Sequence, residues 1–355
     1  MLTWFSGARR GSLLAVTAAS ALLLSACSSA DDDDKGGSSV SNGSFPVSIK
    51  SALGTAKIEE QPERVVTLGQ GSAETAIALG HTPVGVEEYP WGSDKSGYLP
   101  WIHEAVTEKG DELPKQFKGG EDIDMDAILE LEPDVILAPW SGITQDQYDL
   151  LSDLAPTVAY PGLPWSTNWD EQIELISKAL GKPEKAEKLV DTIEGRLADA
   201  AKKRPEYEDV SFSYVYTNGP GSLGVFQEEE QRVEMVSSLG LKVDPVVNTF
   251  KETKGTDSAL IGLENAEKLN KSDLVFTFYS DKKSRREVEA QKLYAAIPAV
   301  ERGTVVASEN NAFVTASSII NPLTVPWVVD RYLPLIDKAV EKLDKSGDGE
   351  SGGKD

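Results

Sequence analysis

Apolar positions recur at steps of three and four through residues 183–204, where Ala186, Leu189, Val190, Ile193, Leu197, Ala200 and Ala201 form one stripe. That spacing predicts a single long amphipathic helix. Pro183 suits its first helical position, and Glu184 and Glu187 lie toward its positive end. Lys202, Lys203 and Arg204 lie toward its negative end, and Pro205 stops it. Such a helix spans roughly 30 Å, about the width of a small domain. It is either an ordinary surface helix or a strut joining two halves, and the flanking patterns decide between these.

Before the helix, short apolar runs of strand length alternate with helical periodicity. Residues 45–50 and 54–58 read as paired edge strands, 64–68 as a buried strand, 74–79 as a helix and 84–86 as a second strand. A helix at 122–132 is stopped by Pro133, followed by a strand at 134–138, a helix at 145–154, a strand at 157–160 and a helix at 172–180. After Pro205 the same alternation returns, with strands at 210–216 and 273–278 and a turn into a strand near 306. Helices are expected at 232–239, 260–270 and 324–343, and a basic loop at 279–286. Strand–helix–strand alternation builds parallel sheets. The expectation is an α/β chain of two Rossmann-like lobes, 45–182 and 205–343, bridged by one helix at 183–204. Gly69-Gln70-Gly71 hints at a dinucleotide loop, but the third glycine is missing and the signal is weak.

Composition narrows the partners. The 355-residue chain holds 35 basic and 58 acidic residues, a net charge of −23, which repels nucleic-acid phosphate. No apolar run after residue 30 approaches the roughly 20 residues of a membrane span. The N-terminus reads as an address at 1–26, with Arg9 and Arg10 before a short apolar stretch. Leu24-Ser25-Ala26-Cys27 then looks like a bacterial lipobox, whose cysteine would carry a palmitate-type lipid anchor. Cys27 is the only cysteine in the sequence, so it has no internal disulfide partner. Residues 27–44 are rich in Ser, Gly, Asp and Asn and read as a flexible tether. The polar stretch at 344–355 reads as a disordered tail.

Aromatic residues crowd two loops, 87–101 and 165–169, where core packing explains them less readily than on a strand. Residues 62–86, opening Pro62-Glu63-Arg64-Val65-Val66, resemble the start of iron-siderophore and vitamin B12 substrate-binding proteins of ABC transporters. Residues 124–138 are similar to the helix and strand that follow in that class. Ser141-Gly142-Ile143-Thr144, Ala155-Pro156-Thr157-Val158 and Trp165-Ser166-Thr167-Asn168-Trp169 resemble its siderophore-binding lipoproteins from Gram-positive bacteria. The resemblance runs from about 47 to 335 and implies a ligand cleft between two lobes joined by a rigid helix.

That resemblance implies that loops after the strands line the cleft, which makes Gln70, Trp91, Trp140, Trp165, Tyr216, Tyr279 and Trp327 candidate lining residues. Aromatic walls suit the greasy periphery of a siderophore chelate, although core packing is the alternative for each tryptophan. Arg232 is the expected anchor for ligand oxygens, since similar proteins place an arginine just before this helix. Lys282-Lys283-Ser284-Arg285-Arg286 is a second basic candidate, with a solvated surface as its alternative. The resemblance further implies permease docking through one carboxylate per lobe: Asp126 in the first, and Glu234 in the second, where Ser237 occupies the usual acidic position. Glu74 is expected to cap or pack its helix.

Only His81 and His103 could join a nitrogen-ligand metal site, too few for zinc or manganese. No nucleophile elbow or phosphate loop supports an enzyme. The expected protein is therefore a monomeric lipid-anchored binder, with no resident cofactor or metal. It would deliver a ferric siderophore to an ABC permease and its ATPase on the outer face of a Gram-positive cell membrane. Haem or a corrinoid fits the same fold, and an extracellular hydrolase is the alternative outside it. Replacing Cys27 by alanine should leave the folded domain intact and release it from membranes. Unchanged partitioning of Cys27→Ala with the membrane fraction would refute the anchor.

Overall fold

A computed structural model of the chain describes residues 45–219 and 221–351. Cys27, the lipobox and the tether to residue 44 lie outside the described residues. An antiparallel hairpin, β1 (Val47–Lys50) and β2 (Thr55–Ile58), opens the first lobe. The chain continues through β3 (Val65–Thr67), α1 (Ser72–Ala78), β4 (Gly85–Glu87), α2 (Pro100–Lys109) and β5 (Lys115–Phe117). It then returns through α3 (Met125–Glu130), β6 (Val135–Ala138), α4 (Gln145–Leu154), β7 (Thr157–Ala159) and α5 (Trp169–Ala179). The five strands β3 to β7 form one parallel sheet in the order β5-β4-β3-β6-β7. Every residue of β3 and β6 is buried, as expected of strands covered on both faces.

The chain works outward from β3 to β5, then jumps back to place β6 on the other side of β3. The loops after β3 and β6 diverge at that switch point, which opens a crevice at the carboxyl ends of the strands. Gly69 makes the close approach possible. It adopts φ 73°, and a Cβ there would lie 1.9 Å from the Trp140 carbonyl oxygen.

A 3-10 turn at Pro183–Lys185 leads into α6 (Ala186–Lys202), whose 17 residues span roughly 25 Å. The helix is thus shorter than the 183–204 expected, because Pro183 starts the tighter turn. It packs against α5 on one side, and on the other against α7 (Gln231–Ser238) and α12 (Thr324–Ser351). Ile193, Leu197 and Ala200 are its buried stripe. Beyond the stripe, Arg196 pairs with Asp330 and the guanidinium of Arg204 forks onto Asp337 at 2.7 and 3.0 Å.

The second lobe holds β8 (Ser211–Tyr216), β9 (Gly224–Phe226), β10 (Lys242–Val243), β11 (Ser258–Leu260), β12 (Leu274–Phe278) and β13 (Val305–Ser308). Their order is β11-β9-β8-β12-β13, with β10 pairing to the start of β8. The strands β8, β10, β12 and β13 run parallel, while β9 and β11 are antiparallel additions at one edge. The remaining helices are α8 (Lys282–Glu289), α9 (Lys292–Ala295), α10 (Pro298–Arg302) and α11 (Asn311–Ala316).

Four local expectations change. The stretch 260–270 is not an α-helix: its start pairs with β9 as β11, Gly262 turns at φ 75°, and only a 3-10 helix, Leu263–Leu269, follows. The basic loop at 279–286 is instead the start of α8, capped by Asp281, which accepts from the Lys283 and Ser284 amides. Pro100 starts α2 inside the aromatic stretch and buries Trp101. Finally, α12 runs on to Ser351 through part of the expected tail, since extending an existing helix carries no new nucleation cost. Among the described residues no helix is long and apolar enough to cross a membrane.

Gly69→Ala combines left-handed strain with a backbone collision at the switch point. It should cost at least about 2 kcal/mol of stability, read from denaturant unfolding. A loss below about 0.5 kcal/mol would mean that the two loops can separate freely.

Candidate functional site

The loops at the carboxyl ends of the two sheets face each other. Gly92, after β4, lies so close to α11 that a Cβ there would sit 2.5 Å from Thr315 Oγ1. Leu163, after β7, reaches the second-lobe loop at Gly255, 3.3 Å from where its Cβ would be. Around these contacts lie two cavities lined by the first lobe alone and one groove lined by both lobes.

On the first-lobe wall, Glu87 at the end of β4 accepts the Gly69 amide through Oε2 at 2.8 Å. Burial pushes its carboxyl above the usual range, and the Gly69 amide works against that. Gln70 lines the same small cavity as Glu74, Glu87 and Tyr89, while its carbonyl accepts from Gln172 Nε2 at 2.7 Å. Glu74 is buried and bridges two donors, the Gly71 amide at 2.9 Å and Trp101 Nε1 at 2.8 Å. Its role is to hold α1 and α2 together, with a carboxyl raised by burial.

A crevice of about 500 Å³ opens beside Glu87, bordered by Leu68, Ser141, Thr144 and Trp165. Trp165 has φ 61° and remains 48% exposed. Its ring lies against Gly142, where a Cβ would come within 2.3 Å of Nε1, and its edge meets Trp140 at 4.9 Å and 70°. A non-glycine residue held at positive φ on a site wall is a costly conformation retained by its surroundings.

A wider groove of about 790 Å³ runs between the lobes. Trp91, Asp94 and Glu104 come from the first lobe, and Asn311, Trp327 and Arg331 from the second. Trp327 meets buried Trp101 edge-on at 5.5 Å, and the Arg331 guanidinium lies 3.9 Å from its ring centroid.

In the second lobe, Tyr216 stacks on Phe226 at 4.7 Å and bonds Ser258 through its hydroxyl at 3.1 Å. Arg232, in the first turn of α7, lays its guanidinium 4.7 Å from the Phe226 centroid and 5.9 Å from that of Phe278. Glu230 caps α7, accepting the Arg232 amide at 2.8 Å, and also pairs with its guanidinium. Burial raises the Glu230 carboxyl and the arginine opposes that.

The structure thus gathers Gln70, Trp140 and Trp165 at the strand ends of the first lobe and Trp91 with Trp327 in the groove between lobes, while Tyr216 and Arg232 pack on Phe226 in the second lobe and border none of these cavities. Tyr279 does not join them. It is 3% exposed, packed in the second-lobe core with its hydroxyl 3.2 Å from that of Tyr294. The strand-end loop is expected to expose it, but α8 folds back over it. Arg232 is not a free cation, because Glu230 has already engaged its fork. Glu234 is likewise occupied: it is half-buried and accepts from Trp169 Nε1 of the first lobe at 2.7 Å. Asp126 is exposed on the first turn of α3. Glu87, Glu230, Phe226 and Arg331 are additions to the expected set. Only Arg331 carried a sequence signal, four residues after Trp327 on one helix face.

Periplasmic binding protein is the description of the family model that matches residues 65–312. The chain belongs to that family. This periplasmic binding protein is 26% identical over 290 residues to YfiY, a probable siderophore-binding lipoprotein of Bacillus subtilis, covering 77% of this chain and 83% of the relative. It is similar to the crystal structure of PiaA from Streptococcus pneumoniae in complex with ferrichrome, with TM-score 0.75 and 30% identity over 83% of this chain and 99% of that one. Staphylococcus aureus SirA, complexed with staphyloferrin B, gives TM-score 0.63 and 27% identity over 84% of this chain and 98% of that one.

Because Arg232 neutralises a carboxylate that is nearly buried, Arg232→Ala should destabilise this binding protein by about 3 kcal/mol, the low end for breaking a buried pair. The low end applies since 23% of the arginine side chain remains accessible. Denaturant unfolding should show most of that loss returned by the Arg232→Ala/Glu230→Gln double variant. A double variant no more stable than the single one would show that the pair is not what holds α7 at its start.

Proposed function

We propose that this protein captures a ferric siderophore in the cleft between its lobes and hands it to an ABC permease driven by its ATPase. The observation that carries the reading is the aromatic wall of Trp140 and Trp165 beside a sizeable crevice, on a chain of this family. A compact chelate with an apolar periphery gains from ring faces and edges, while backbone and side-chain donors orient its oxygen atoms. The siderophore ligands of PiaA and SirA support this choice of ligand. Trp91 and Trp327 extend the aromatic surface along the groove.

The protein acts as a binder rather than a catalyst, held at the outer face of a Gram-positive membrane by lipid on Cys27. Asp126 serves as the first-lobe docking contact for a permease arginine, and one monomer carries one ligand.

Intrinsic tryptophan fluorescence tests the ligand directly. Titration with ferric siderophores should give saturable quenching, reduced in Trp140→Phe, with the ligand recovered unaltered. Saturable quenching by haem or cobalamin, and by no ferric siderophore, would defeat this reading. Conversion of the added ligand would point instead to a hydrolase.

A further inference from the structure

We infer that the cleft selects ferric chelates without net negative charge, of the hydroxamate class, over polyanionic catecholate or carboxylate chelates. The inference rests on the siderophore reading above and narrows it by charge.

On the first lobe, Lys118 pairs with Asp122 at 3.6 Å and Lys95 follows the groove-lining Asp94, and neither borders any of the three cavities. The small cavity at Gln70 and the crevice at Trp165 are lined without a single Lys, Arg or His, and Glu87 borders both. Glu74 adds a carboxylate to one and Glu121 to the other. Two second-lobe guanidiniums, those of Arg232 and Arg285, come with their own counter-charges. Arg232 is paired by Glu230 and faced by the rings of Phe226 and Phe278. Arg285 lies over Tyr279 and pairs with Glu289 at 2.8 Å and Glu309 at 3.1 Å. In the groove, Arg331 lies on Trp327 and donates to its carbonyl, while Asp94 and Glu104 line the same space.

The other nearby basic residues do not reverse this balance. Lys283 pairs with Glu287, and Lys282 and Arg286 are exposed and border none of the three cavities. The loop that meets Leu163 carries two lysines, Lys251 and Lys254, and two acids, Glu252 and Asp257.

A tris-catecholate chelate of iron(III) is trianionic and a ferric citrate chelate is also anionic. Either would bring negative charge against carboxylates in a partly desolvated cleft, an arrangement that suppresses binding. The chain's net charge of −23 further slows the approach of anions. A tris-hydroxamate chelate of iron(III) is neutral and escapes both penalties. Its amide-rich periphery suits aromatic rings interspersed with uncharged polar groups such as Gln70, Ser141, Thr144 and Asn311.

The test is a quenching titration of the mature protein at physiological salt with ferrichrome, a second neutral tris-hydroxamate, ferric enterobactin, ferric dicitrate, haem and cobalamin. At least one hydroxamate chelate should bind about a hundredfold or more tighter than either anionic chelate. Glu230→Gln keeps an oxygen for the helix cap and frees the charge of Arg232. It should narrow that gap about tenfold or more. Glu87→Gln, at a residue that borders both first-lobe cavities, should narrow it too and covers the case in which the Glu230 variant fails to fold. Anionic chelates binding as tightly as the hydroxamates would overturn the charge inference and leave the siderophore reading standing. Binding of haem or cobalamin with no ferric siderophore would overturn both.

Discussion

One continuous apolar cluster that crosses from lobe to lobe is the constraint on which the remaining structure depends. It includes Ala73, Trp101 and Ile173 of the first lobe, Ile193 and Leu197 of α6, and Phe212, Val236 and Val328 of the second. Packed interiors of this kind are bistable rather than continuously deformable, so the lobes cannot slide past one another without breaking it. Around it stand directional contacts: Trp169 to Glu234, Trp101 edge-on to Trp327, and Arg204 forked onto Asp337. The strut works because both of its sides are packed. A solvated linking helix of the same length would leave the cleft width undefined.

With the lobes held, the cleft is a product of sheet topology. The jump from β5 back to β6 places two diverging loops at the carboxyl ends of β3 and β6, and Gly69 lets them nearly touch. Strand β4 ends on Glu87, which borders both first-lobe cavities. Gln70, Trp91, Trp140 and Trp165 come from loops, and the ring of Trp165 is held by glycine at one contact and a second indole at another.

Electrostatics in the cleft run against the simple picture of a basic anchor for an anionic cargo. Desolvating a carboxylate is costly unless it finds a donor or a cation. Glu74 finds an amide and an indole, Glu87 an amide, and Glu230 the guanidinium of Arg232. Arginine that serves this purpose is structural as much as it is recognitive. The same pairing stiffens the start of α7 and leaves aromatic surface as the main contact the walls present.

Much of the architecture was legible in the sequence because period and punctuation are local. The stripe through Ile193, Leu197 and Ala200, the buried runs at 65–67 and 135–138, and proline and glycine stops determined an α/β chain with a bridging helix. Loop aromatics pointed to Trp140 and Trp165 for the same reason: large rings among turn residues need a partner. What only the tertiary structure decided was which groups meet. Whether Tyr279 lines a cleft or fills a core depends on where α8 folds. Whether Arg232 is free depends on a cap residue two positions away, whose carboxylate turns inward onto the guanidinium. Whether Glu234 faces outward depends on Trp169, 65 positions away in the chain. Side-chain engagement is set by long-range packing and by the need to satisfy each buried charge, and neither is written in the periodicity of a single segment.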